Sequence, residues 1–153
     1  MNTPQPVIVR AGDVEPRGAF GLSLSMLTIG EQSVGQWLLI ECLAPARCVG
    51  PPSHYHRLTT ELVYVLDGTL TLAVGTQSVR LAPGSSAYLP PGVVHALVNE
   101  TDTPVRFLQI ASPAGLERCY AELGELLGAE ANWSAGGSDL LALMAKYDCF
   151  PPP

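Results

Sequence analysis

The chain has 153 residues, 47% of them apolar and 14% charged, which is the composition of one globular domain long enough to bury a substantial core. Its formal charge of −6, with eight scattered basic residues, provides no basic stripe to track phosphates and excludes nucleic acid as an expected partner. No basic amphipathic segment or bilayer-length apolar run points to a membrane, and Met1 to Pro6 lacks the charged and apolar regions of a signal peptide, so a cytoplasmic protein is expected.

From about residue 22 to 111 the pattern is β. "LSLSML" (22–27) alternates apolar and small polar residues, the period of a half-buried strand. After a turn region between Gly30 and Gly35, "QWLLIECLA" (36–44) is a longer apolar strand. "LVYVL" (62–66) and "TLTLAV" (69–74) flank Asp67-Gly68, a pair that predicts a tight hairpin. Gly75-Thr76 predicts a second turn, into "QSVRLA" (77–82). Pro83-Gly84 and Pro90-Pro91-Gly92 bracket "SAYLP", and "VVHALVN" (93–99) and "VRFLQIA" (105–111) complete the series. Short, evenly spaced strands with Gly and Pro between them read as a sandwich or barrel.

The remainder, residues 112–153, is helical in pattern. Ser112-Pro113 reads as an N-cap and first-turn proline, and Leu116, Cys119, Tyr120, Leu123, Leu126 and Leu127 recur at helical spacing up to a capping Gly128. A Gly136-Gly137 loop leads to Ser138 as a second N-cap, with Leu140, Leu143, Met144 and Tyr147 marking a second short helix before three terminal prolines. This tail is too short for a separate domain, so residues 1–153 are expected to form one unit. The four cysteines, Cys42, Cys48, Cys119 and Cys149, are widely spaced and read as reduced packing residues.

All three histidines fall at strand positions with apolar neighbours. His54 and His56 are two residues apart, so on a strand they share a face and two imidazoles reach one ion. Glu61 follows at an odd offset, and for it to join them the chain must bend or bulge between Arg57 and Thr60. A carboxylate facing inward beside Val63 and Val65 is costly unless paired or bound to a metal. His95 lies between Val94 and Ala96, with Asn99 on the same face. Taken singly, each histidine also fits a structural or exposed position, and Glu61 also fits a surface position at the start of a strand. It is the joint set of three imidazoles and one carboxylate that describes a first-row transition-metal site with coordination positions to spare.

His54-x-His56-x4-Glu61-x6-Gly68 resembles the first cupin motif, and Gly84-x5-Pro90-x-Gly92-x2-His95-x3-Asn99 resembles the second. The Gly68-to-Gly84 interval is compatible with the short spacing of bacterial-type cupins. "GEQSVGQWLLIE", "SPAGLERCYAEL" and "LMAKYDCFPPP" are further similar to quercetin 2,3-dioxygenase-like single-domain cupins. The chain departs from the motif where Cys48 replaces the glycine that usually precedes the first histidine by six residues, where Ser85 replaces the common aspartate, and where Arg57 to Thr60 lacks acidic residues.

The resemblance implies an all-β fold: an antiparallel jelly-roll β-barrel (double-stranded β-helix) over about residues 20–111, followed by two short C-terminal α-helices. It implies His54, His56, Glu61 and His95 as ligands of one divalent transition metal (Fe, Mn, Ni, Co, Cu or Zn) and Glu61 as both ligand and general base. The interior wall would come from Val63, Val65, Leu97 and Leu39 or Trp37, with Tyr88 or Tyr64 presenting hydroxyls to a small-molecule substrate. Three functions follow: a dioxygenase-like oxidoreductase acting on a phenolic or enol-type molecule; a Lewis-acid isomerase, cyclase or lyase in small-molecule or polyketide metabolism; and a non-enzymatic ligand-binding cupin. Barrel edge strands invite pairing with a second copy, so a homodimer is expected.

Overall fold

A computed structural model of the chain describes residues 5–127 and 133–153. Among the described residues nine strands come first: β1 Arg17–Ala19, β2 Leu22–Thr28, β3 Leu38–Ala44, β4 Thr60–Asp67, β5 Leu70–Val74, β6 Gln77–Leu81, β7 Ser86–Leu89, β8 His95–Val98 and β9 Val105–Ser112. Two helices follow, α1 Leu116–Leu127 and α2 Trp133–Lys146. The strands form two antiparallel sheets, one in the order β1-β2-β3-β9-β4-β7 and the other β6-β5-β8. This is the jelly-roll arrangement, and β1 is an addition to the strands read from the sequence.

Side-chain alternation decides which residues enter the space between the sheets. On β3 it buries Leu38, Ile40, Cys42 and Ala44; on β4, Glu61, Val63 and Val65; on β9, Val105, Phe107, Gln109 and Ala111. The register aligns these rows, with Ile40 opposite Gln109 and Gln109 opposite Val63. Glu61 and Gln109 are thus polar residues on an otherwise apolar inward face.

Asp67-Gly68 does not make the expected hairpin. β4 pairs with β7 and β9, whereas β5 pairs with β6 and β8, so this dipeptide carries the chain from one sheet to the other. Only Gly68 of the two takes a positive φ, at 78°, while a type I′ turn needs both. The chain here also runs against Pro104 and Val105: a Cβ on Gly68 would sit 2.7 Å from the Pro104 carbonyl oxygen. Gly75 does turn an antiparallel hairpin, between β5 and β6.

Ser112 does not cap α1, because it is the last residue of β9 and pairs with Thr60. The helix begins at Leu116, where Glu117 accepts hydrogen bonds from the Gly115 and Gly30 backbone N–H groups at 2.8 and 2.9 Å. Gly128, read as the cap at its other end, lies outside the described residues. The Gly136-Gly137 loop is reduced to a break within α2, where Gly137 has φ 48° and ψ −135°. Leu116, Leu123, Leu140, Met144 and Cys149 join the same buried cluster as Leu24, Ile40, Val65 and Phe107, so both helices pack on the β-body. All four cysteines are buried free thiols. No helix among the described residues is long and apolar enough to cross a membrane.

Candidate metal centre

The two histidine-bearing segments are paired directly. The His54 N–H donates to the His95 carbonyl at 3.0 Å, and the His95 N–H returns a bond to the His54 carbonyl at 2.9 Å. Gly50 lets the approaching chain close on β8, since with φ 60° it lies where a Cβ would meet the Leu97 carbonyl oxygen at 2.6 Å. The chain then bends at Arg57-Leu58, as the odd spacing to Glu61 requires, and β4 presents Glu61 inward. One ligand-type atom from each of His54, His56, Glu61 and His95 lies within 4.8 Å of the others. His56, His95 and Glu61 are 3%, 3% and 1% exposed, so the group is cut off from bulk solvent on nearly every side.

Each imidazole is oriented through Nδ1. His54 Nδ1 lies 2.8 Å from the Pro52 carbonyl, His56 Nδ1 2.7 Å from the Asp148 carbonyl and His95 Nδ1 2.9 Å from the Val93 carbonyl. A carbonyl only accepts, so all three rings carry hydrogen on Nδ1, and in the neutral form Nε2 is left as a lone-pair donor. His56 Nε2 is buried without a hydrogen-bond partner, 3.6 Å from Glu61 Oε2. His95 Nε2 lies 2.8 Å from the same oxygen. Three Nε2 atoms and one carboxylate oxygen facing a common point, one of them orphaned, fit a divalent ion of the first transition row.

The second oxygen of Glu61 is held apart. Gln109 Nε2 donates to Oε1 at 2.5 Å, and the Cys42 thiol, 3.9 Å from Gln109 Oε1, completes a buried chain Cys42–Gln109–Glu61. Oε1 is therefore committed to an amide while Oε2 faces the imidazoles. Burial alone would push the Glu61 carboxyl up, but the nearby His56 imidazole and the hydrogen-bonded His95 imidazole outweigh it and hold Glu61 well below the usual carboxylate range. Burial, reinforced by neighbouring His95, pulls His54 down to about 4. Burial also acts to lower His56, yet the Glu61 carboxylate overcomes it and leaves this imidazole raised.

A cavity of about 40 Å³ adjoins the cluster. Its walls include Phe20 from the turn between β1 and β2, Leu22, Leu97 and Phe107 from the sheets, and Leu116, Tyr120 and Met144 from the helices. Of the wall residues read from the sequence, Leu97 lines it. Val63 and Val65 point inward but are packed into the core, fully buried, away from the cavity wall. Trp37 and Tyr88 are 49% and 62% exposed and Leu39 is half-buried, because alternation turns these three to the outer side of the sheet. Tyr64 is likewise exposed, and its neighbour across the strands is Leu108. Asn99 does not join the metal cluster; its amide donates to the Ala44, Pro45 and Thr103 carbonyls and ties two loops together.

Three residues of the site escaped the sequence reading. Gln109 carried a detectable signal, being polar on the inward face shared by Val105, Phe107 and Ala111. Tyr120 was assigned only to a helix face; it lines the cavity, and burial together with the Glu61 charge keeps its phenol protonated. Asp148 carried no local signal. Its carboxylate accepts hydrogen bonds from the backbone N–H groups of Arg57, Leu58 and Thr59 at 2.9, 2.9 and 2.8 Å. Burial acts to raise its pKa, and these three bonds reverse the effect and lower it.

Comparison with known proteins agrees with this architecture. Residues 39–111 match the family described as "Cupin domain". The chain is 31% identical over 91 residues to quercetin 2,3-dioxygenase of Bacillus subtilis, a match covering 60% of this chain and 27% of that protein. It is 30% identical over 71 residues to tetracenomycin polyketide synthase protein TcmJ of Streptomyces glaucescens, covering 46% of each. The chain thus spans less than half the length of either curated relative. Among solved structures, a sugar phosphate isomerase of the cupin superfamily from Silicibacter pomeroyi superposes with a TM-score of 0.61 at 25% identity, covering 69% of this chain and 75% of that one. With its two antiparallel sheets and its paired histidine segments, the chain has the cupin jelly-roll fold, and residues 39–111 match the cupin domain family.

Proposed function

We propose that the protein is a metal-dependent cupin enzyme acting on a small phenolic or enol-type molecule, as a dioxygenase-like oxidoreductase. The observation that carries this reading is the buried convergence of His54, His56, Glu61 and His95 within 4.8 Å, with His56 Nε2 unpartnered, beside an apolar cavity. When bound, a divalent ion supplies Lewis acidity and open coordination positions, and with one carboxylate ligand it carries about one net positive charge that favours an anionic substrate oxygen.

The chain's own residues do the rest. The three carbonyl-anchored imidazoles fix Nε2 donors in place, and Glu61 supplies Oε2 as the anionic donor. Glu61 serves as general base through Oε1, which accepts the substrate hydroxyl proton once Gln109 releases it. Tyr120 stays a neutral hydroxyl, able to donate a hydrogen bond to a substrate oxygen. The apolar walls keep water from the reacting atoms. A cavity of about 40 Å³ holds roughly three waters as it stands. A flavonol-sized molecule is larger than this, so its admission requires side chains of the cavity wall to move.

Oxygen uptake by metal-loaded protein against a panel of flavonols and catechols tests this reading. Oxygen consumption in step with substrate loss is the expected result. Equal turnover without oxygen overturns it in favour of a second reading, a Lewis-acid isomerase, cyclase or lyase, which the likeness to the sugar phosphate isomerase supports. Tight binding without turnover in either atmosphere identifies a ligand-binding cupin instead.

A further inference from the structure

We propose that Asp148 is a positioning residue for the metal centre, so that seating of the C-terminal segment 148–150 and binding of the ion are one coupled event. The inference rests on the metal-centre reading above and extends it to a part of the chain 92 residues away from the histidine it serves.

Asp148 acts at two points on the ligand segment. Its carbonyl receives His56 Nδ1 at 2.7 Å, which fixes the ring plane and leaves the orphaned Nε2 aimed at Glu61. Its carboxylate gathers the consecutive N–H groups of Arg57, Leu58 and Thr59 at 2.8–2.9 Å, and these are the residues that must bend for Glu61 to face the same way as His56. One residue therefore sets both the orientation of a ligand and the register of the next one. Asp148 itself has φ 61°, a left-handed conformation that aspartate, asparagine and glycine tolerate best.

The residues around it reinforce the clamp. Tyr55, between the two histidines, exchanges backbone hydrogen bonds with Phe150 at 2.9 Å in both directions. The Tyr55 and Phe150 rings lie 5.6 Å apart, and the Arg57 guanidinium sits 4.0 Å from the Phe150 ring centre. His54 and Tyr55 thus form isolated bridges, to His95 on one side and to Phe150 of the C-terminal segment on the other, and the stretch they anchor carries two of the proposed metal ligands. Whatever stabilises the ligand geometry stabilises the docked segment by the same free energy, because linkage between two binding events is reciprocal.

Cobalt(II) titration of the metal-stripped full chain, with a competing chelator, provides the test. Partners that orient a ligating histidine typically contribute 10–100-fold in metal affinity. Asp148→Gly keeps the left-handed backbone and the carbonyl bonded to His56 and deletes only the carboxylate that bends the chain toward Glu61; it is expected to bind about 10-fold more weakly, the lower end of that range, and to change the visible cobalt spectrum. Asp148→Asn retains an acceptor oxygen and tolerance of positive φ, and is expected to restore part of the affinity and the wild-type spectrum. Wild-type affinity and spectrum in Asp148→Gly overturn the proposal alone. A wild-type chain that binds no cobalt overturns the metal-centre reading and this proposal with it. Hydrogen exchange on the wild-type chain covers variants that do not fold: zinc is expected to slow exchange of the Phe150 amide bonded to Tyr55, and an unchanged rate overturns the coupling.

Discussion

Gln109 donates from Nε2 to Oε1 of Glu61 at 2.5 Å, in a region where both side chains are buried. Leucine has nearly the shape of glutamine but no donor. Gln109→Leu leaves one oxygen of a buried carboxylate without a partner, at a cost of about 1–3 kcal/mol. In a chain of this length the melting temperature is expected to fall by about 2–4 °C for each kcal/mol. Thermal melts with and without added zinc measure it. An unchanged melting temperature in the metal-free form contradicts the role given to this bond.

His95→Ala removes one of the four donors while leaving the backbone pairing to His54 in place. The variant is expected to remain folded by circular dichroism and to lose most of its bound metal. Elemental analysis of the two proteins purified side by side decides the point, and equal metal content removes His95 from the ligand set.

The metal-free protein is expected to be most stable near pH 6.5, with losses on either side. His54 is pulled from its ordinary 6.5 to about 4 in the fold. Between those values the unfolded chain binds the extra proton, so stability falls as pH drops through that window, by about 3 kcal/mol in all. Glu61 adds a further loss below its ordinary 4.5, because its folded pKa is depressed. His56 has the opposite sign: its pKa is raised above 6.5, so its contribution is complete below that value and is lost as pH rises through the folded pKa. Urea midpoints across pH 4 to 9 on chelator-treated protein map the curve. A monotonic rise through neutrality excludes the assigned environment of His56.

Gly68→Ala tests the crossing between sheets. The new Cβ would meet the Pro104 carbonyl oxygen at 2.7 Å and Val105 Cγ2 at 2.9 Å, at a residue with φ 78°. Strain of this kind costs on the order of 1–3 kcal/mol. The urea midpoint is expected to drop with the slope unchanged, and a midpoint equal to that of the wild type refutes the close approach.

The strands and the cluster of three histidines with Glu61 were legible because their signals are local. Alternation over 22–27 and the two-residue step from His54 to His56 need only neighbouring residues. What failed was whatever depends on a distant partner. Asp67-Gly68 carries turn chemistry, but nothing near it tells that β4 will be taken by β9 rather than by β5. Trp37 and Leu39 sit in an unbroken apolar run from Trp37 to Ile40, where no alternation reveals which side faces in. Tyr88 faces out for the same reason as its neighbour across the strands, Leu62. Asp148 is the extreme case, since its partners lie about ninety residues earlier in the chain.

That separation gives the ribosome a part in completing the centre. His56 leaves the peptidyl-transfer site 92 residues ahead of Asp148, which at about 5–20 residues per second is a delay of roughly 5–18 s. Until Asp148 is made, His56 lacks the carbonyl that orients its ring, and Arg57, Leu58 and Thr59 lack the carboxylate that gathers their N–H groups. On the proposed coupling, full-strength capture of an ion thus waits for Asp148 to emerge and reach the segment that follows His56.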